Sequence, residues 1–168
     1  MKTEIKYGLI TGVLGAAWLY IEYVIGLHDT YIDYHPKVTM FALFIPVVTI
    51  VLAIREKRNK SQEGMITFWQ GVLTGFGVSL IAAIINVGAQ WLYLTVINPE
   101  WTSFMVEMTR IKASEKLADP IQIENQVKEA EQYFTKGNYL QQSFYAPFIL
   151  GIVISLIASG ILRKKITN

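Results

Sequence analysis

The chain contains no cysteine, which excludes disulfides, thiolate metal sites and a cysteine nucleophile. Histidine is almost as scarce, with only His28 and His35. Charge is thin: 17% of residues are Asp, Glu, Lys or Arg, against about 25% in an ordinary soluble domain. The net charge of +2 is too small to argue for a nucleic-acid partner. Zinc-protease H-E-x-x-H, the Walker loop, G-x-S-x-G and S-x-x-K are all absent from the 168 residues. No catalytic residue, cofactor or metal ion is therefore expected, and the chain does not read as an enzyme.

What is present is apolar sequence in long runs. Crossing about 30 Å of hydrocarbon takes about 20 residues at roughly 1.5 Å each. Four runs meet that length, at about 5–27, 38–54, 67–97 and 144–162. Beyond Lys6 at its start, the first is interrupted only by Glu22, and it is too long, with too poor a cleavage site at Gly26-Leu27-His28, to be a removed signal peptide. The second follows the turn signal His35-Pro36. The third exceeds a perpendicular crossing and must tilt or project.

Basic residues set the expected orientation. Lys2, Lys6, Arg55, Lys57, Arg58, Lys60, Arg163, Lys164 and Lys165, nine of the fifteen Lys and Arg, all fall on one side of a four-span topology. The opposite short loop, 28–37, holds only Lys37. Positive-inside asymmetry then puts both termini in the cytoplasm and segments 28–37 and 98–143 outside. The cluster at 55–60 reads as the topology signal, with attraction to anionic lipid as a by-product.

Two amphipathic helices are expected in the outer insertion, at about 99–116 and 120–136. Asn98-Pro99-Glu100 reads as a cap, a proline at the first helical position and an acid in the first turn. Trp101, Phe104, Met105, Met108 and Ile111 then recur at helical spacing. Asp119-Pro120 opens the second, carrying Ile123, Val127, Ala130 and Phe134, with Gly137-Asn138 as its stop. The apolar faces must meet the membrane surface, each other or a partner. Trp101, Phe104, Met105, Met108, Val127 and Phe134 are the residues expected on that face.

Gly8-Leu9-Ile10-Thr11-Gly12 and Gly71-Val72-Leu73-Thr74-Gly75 match in residue type, and each opens a span running the same way. The expected fold class is thus an all-α integral membrane protein: a single four-transmembrane-helix bundle over 1–168. Its two helical hairpins stand in parallel repeat, with the two amphipathic helices in the second outer loop. Small residues four apart mark helix-packing stripes: Gly8 and Gly12 on the first span, Gly71 and Gly75 on the third, Gly151, Ser155 and Ser159 on the fourth.

One ionisable group lies inside a span. Counted at about 100° per residue, Glu22 falls on the same face as Gly8, and Asn86 and Gln90 turn toward the side of Gly71. Glu22, Asn86 and Gln90 are therefore expected to form a polar intramembrane cluster within the bundle. His28, Asp29, Asp33 and His35 read as a solvated polar loop, and no metal is assigned to them.

Lys6-Tyr7-Gly8, Phe68-Trp69-Gln70-Gly71, Ile97-Asn98-Pro99 and Leu156-Ile157 followed by Arg163-Lys164-Lys165 stand in a telling order and spacing. Through them nearly the whole chain resembles a family of small bacterial membrane proteins known as a domain of unknown function, family forty-one ninety-nine. The resemblance implies a bacterial inner membrane and four spans with an extended second outer loop. It assigns no reaction. In size and layout such proteins are similar to accessory subunits beside membrane-attached glycosyltransferases, an analogy of architecture only. The leading functional expectation is a non-enzymatic accessory or scaffold protein, partnered by the lipid bilayer and a membrane protein. The second is a homo-oligomeric carrier of small molecules or ions using Glu22, Asn86 and Gln90. A third is an enzyme modifying lipid at the outer interface.

Overall fold

The structure is a computed structural model, and it describes residues 2–61 and 64–163. Lys164 and Lys165, which close the terminal basic cluster, lie outside the described residues. In chain order the helices are α1 (Thr3–Val24), α2 (His35–Val38), a 3-10 stretch (Thr39–Leu43), α3 (Phe44–Asn59) and α4 (Phe68–Leu92). After a π turn (Tyr93–Ile97) come α5 (Trp101–Lys116), α6 (Pro120–Tyr133) and α7 (Lys136–Leu162). No strand occurs among the described residues. Among the described residues, four stretches are long and apolar enough to cross a membrane: Thr3–Val24, His35–Asn59, Phe68–Ile97 and Lys136–Leu162. Large apolar side chains stay exposed along all four, among them Val13, Phe44, Leu73 and Ile157. Water would penalise such surfaces, whereas acyl chains would not.

The second span begins earlier than the sequence suggests. Pro36 sits in the first turn of α2, where its missing N–H costs nothing. Pro46 does cost a hydrogen bond further along, and the preceding turn, Thr39–Leu43, takes 3-10 geometry, the usual accommodation before α-helix resumes. The last span also starts early. Gly137-Asn138 does not end α6 but lies in the first turn of α7. Thr135 Oγ1 accepts the Asn138 N–H at 3.2 Å, while the Asn138 side chain donates to the Gln132 and Tyr133 carbonyls at 3.1 and 3.0 Å. One asparagine thus finishes α6 and is itself capped into α7.

The chain divides into two compact units, residues 1–87 with 143–168, and residues 88–142. In the first unit α1 packs on α3. Midway, Thr11 Oγ1 lies 2.7 Å from Thr49 Oγ1, and each hydroxyl also faces a carbonyl one turn back. At the start of α1 the 55–60 cluster makes ion pairs with the first span. Glu56 receives Lys6 and Lys60 at 2.6 Å each and the Tyr7 hydroxyl at 3.1 Å, while Lys57 reaches Glu4 at 2.7 Å. The unit's centre is filled by Ile50, Ala53, Ile54 and Val78, with Ala158 beside them.

α4 and α7 meet through reciprocal small residues. A Cβ added to Gly75 would lie 2.6 Å from Ser155 Cβ, one on Gly151 equally close to Ser79 Cβ, and one on Gly71 3.0 Å from Ser159 Cβ. The register is antiparallel, since the partner's number falls as the glycine's rises. Backbones this close gain dispersion contacts that larger residues would forbid. Gly8 and Gly12 of α1 instead admit Ile81 and Ile85 of α4, at 2.6 and 2.8 Å from a notional Cβ. The matched pentapeptides therefore face different kinds of neighbour: branched aliphatic side chains in one case, serines in the other.

In the second unit α5 packs on α6. Tyr93, Leu94, Trp101, Ala113, Val127 and Ala130 are buried. The expected asparagine cap is not formed: α5 opens at Trp101 with Glu100 as its cap residue. The π turn brings the Asn98 N–H back to the Tyr93 carbonyl at 2.8 Å, and the Asn98 carboxamide donates to the Tyr93 hydroxyl, also at 2.8 Å. At α6 the expected cap holds, with Asp119 Oδ1 accepting the Ile121 N–H at 2.9 Å.

Candidate functional site

The end of α1 builds the most distinctive polar site. The helix stops in a Schellman motif: the Leu27 N–H reaches the Glu22 carbonyl at 2.9 Å, and the Gly26 N–H reaches that of Tyr23 at 3.0 Å. Gly26 takes φ +80°, a left-handed conformation that a Cβ would oppose. The turn folds Leu27 and His28 back inward, and both are buried. A tightly wound loop follows, with the Tyr31 N–H on the Gly26 carbonyl at 2.8 Å and the Tyr34 N–H on that of Tyr31 at 2.9 Å. It delivers His35 to the first position of α2.

Glu22 therefore faces two imidazoles. Its Oε2 lies 3.8 Å from His28 Nε2 and 3.9 Å from His35 Nε2. The side chains are 4% exposed at Glu22, 3% at His28 and 25% at His35. Its other oxygen, Oε1, accepts the Trp18 Nε1–H at 2.7 Å, and the Thr39 side chain lies close to the carboxylate. The two imidazoles meet edge to face with centroids 4.9 Å apart.

This corrects one expectation. Segment 28–37 is not simply a solvated polar loop, because the glycine-closed helix end buries His28 against Glu22. Asn86 packs on α1 one helical stretch back, its Oδ1 2.9 Å from where a Cβ of Gly15 would sit. Gln90 belongs to the second compact unit.

The remaining sequence-derived residues fall as follows. Gly8, Gly12, Gly71, Gly75, Gly151, Ser155 and Ser159 all line helix contacts within the first unit. Of the proposed apolar face, Trp101 and Val127 are buried within the second unit, whereas Phe104, Met105, Met108 and Phe134 are half-buried. Trp101 stacks near Phe104, with Tyr93 and Tyr139 around it at ring separations of 5.9 to 6.4 Å. A groove at the opposite end of α1, lined by Lys2, Lys57, Lys60 and Gln70, is a weaker candidate, since Lys57 and Lys60 already meet Glu4 and Glu56.

With this geometry in place, a comparison with protein families supplies the relationship. Residues 6–164 match the family described as "Protein of unknown function (DUF4199)". The chain belongs to this family. The match reaches into all four candidate spans and includes the helices between them. Neither the curated proteins nor the solved structures contain a match to the chain.

Proposed function

We propose that the chain is a non-enzymatic accessory subunit of the bacterial inner membrane, with both termini cytoplasmic, that binds a membrane protein partner. One observation carries this reading. The centre of the four-span unit is filled by Ile50, Ala53, Ile54 and Val78, none with measurable exposure, and the buried hydroxyls of Thr11, Thr49, Ser79 and Ser155 are bonded to helix carbonyls. A bundle packed this way suits a scaffold better than a monomeric transporter. The second unit offers a surface in support: Trp101 and Val127 are buried there, yet Ile111, Ile121 and Tyr133 stay exposed, Ile121 by 72%. Two amphipathic helices with apolar residues left over after their own packing suit a docking role.

A second reading has its own observation. Glu22 beside two histidines is a charged constellation within or at the margin of the spans, and such groups mark ion or proton handling by default. It revives the carrier, working as an oligomer, with His28 and His35 taking the places expected for Asn86 and Gln90.

Purification in mild detergent separates the two. The accessory reading expects a second membrane protein at one-to-one stoichiometry, released by Ile121→Glu while the chain itself remains folded. A homogeneous homo-oligomer, unchanged by Ile121→Glu, would contradict it and favour the carrier.

A further inference from the structure

We propose that Glu22, His28 and His35 form a binding site for a borderline divalent transition-metal ion, with zinc as the best fit. One ligand atom from each residue can be chosen so that all three lie within 4.8 Å of one another. The two carboxylate–imidazole separations are 3.8 and 3.9 Å. Ligand atoms around a tetrahedral zinc, with bonds of about 2.0–2.2 Å, stand about 3.3 Å apart. Closing on an ion thus takes about half an ångström from each carboxylate–imidazole pair and up to about 1.5 Å between the imidazoles, whose donors lie within 4.8 Å, within reach of side-chain rotation.

The donor set selects the ion class. Two imidazoles and one carboxylate suit zinc and its first-row neighbours, whereas magnesium and calcium prefer all-oxygen shells. Two imidazoles and a carboxylate with a fourth position open is a recurring zinc arrangement, and here the partial exposure of His35 supplies the opening. The surroundings fit as well. With Thr39 close by, Trp18 holds the carboxylate on the oxygen turned away from both imidazoles, the kind of outer contact that orients a metal ligand. The backbone is prepared by the Gly26 turn and by Pro36, so the three donors come from a helix end, a wound loop and a helix start. An ion there would staple the first span to the second. This site stands independently of the accessory reading.

The test uses the full chain, purified through a histidine-free tag, dialysed against chelator and titrated calorimetrically with zinc alone. One equivalent per chain should bind, with magnesium in excess failing to compete, and zinc should raise the melting temperature. His28→Ala and Glu22→Gln should each weaken affinity at least about 100-fold. Trp18→Phe should cost about 10- to 100-fold, as outer-contact losses do. Glu107→Gln, on an exposed position of α5, should change nothing. Because the buried His28 is demanding to replace, His35→Ala provides a second variant at the most exposed ligand. Zinc binding that survives His35→Ala, or a wild-type chain that takes up no stoichiometric zinc and shows no shift in melting, would overturn the assignment.

Discussion

Single side chains carry distinct energetic signs in this molecule. Ser159 Oγ is buried with no hydrogen-bond partner, and an unmet buried hydroxyl costs on the order of 1–3 kcal/mol. Ser159→Ala should accordingly keep the fold and raise thermal stability in detergent, by up to about 1 kcal/mol once lost packing is offset; a clear drop would show that the hydroxyl has a partner. Glu56 has the opposite sign. It gathers Lys6, Lys60 and Tyr7 at one end of α1 and α3, so Glu56→Gln should lower the melting temperature at low ionic strength and matter less in high salt, where such pairs are screened. Equal effects at both salts would assign the loss to packing. The sequence shows Glu22 as the interior charge, because no other acid interrupts an apolar run so completely. Its partners are hidden, since His28 and His35 reach it only through the left-handed Gly26. Gly26 followed by apolar Leu27 is the sequence signal of that turn, and it lies just after the last apolar residues of the span.

Helices are where sequence and structure agree best, and the reason is physical. Bilayer thickness fixes the length of a span, so apolar runs locate all four candidates. Boundaries fail where capping is tertiary or ambiguous. Gly137-Asn138 has a helix-stop composition, yet Thr135 caps it into α7; Asn98 has a cap composition, yet Tyr93 takes its side chain. The stripes of small residues are legible as packing faces, but their partners are not, as spacing of four fixes a face and leaves the neighbour open. The interlock of α4 and α7 makes a sharp prediction. Gly75→Leu should cost about 1–3 kcal/mol through overpacking, because Ser155 and Ile50 leave no room for a side chain. Gly160→Ala on α7, with nothing within 4 Å of the added methyl, should be tolerated. Melting curves of both variants in one detergent check the pair. If Gly75→Leu proved as harmless as Gly160→Ala, the close α4–α7 contact would be absent.

At the scale of the whole molecule, four apolar helices and membership of the matched family describe a multi-pass membrane protein, with orientation resting on the basic clusters. The absence of cysteine makes this directly measurable, since any introduced thiol is unique. Asn59 and Glu129 are both exposed, one at the end of α3 and one on α6. Single-cysteine variants at these positions, treated with a membrane-impermeant maleimide in intact cells whose outer membrane has been made permeable, report the side of each. Glu129→Cys should label at once and Asn59→Cys only after the inner membrane is opened. Labelling of both from the same side, or the reverse pattern, would contradict the four-span topology with cytoplasmic ends.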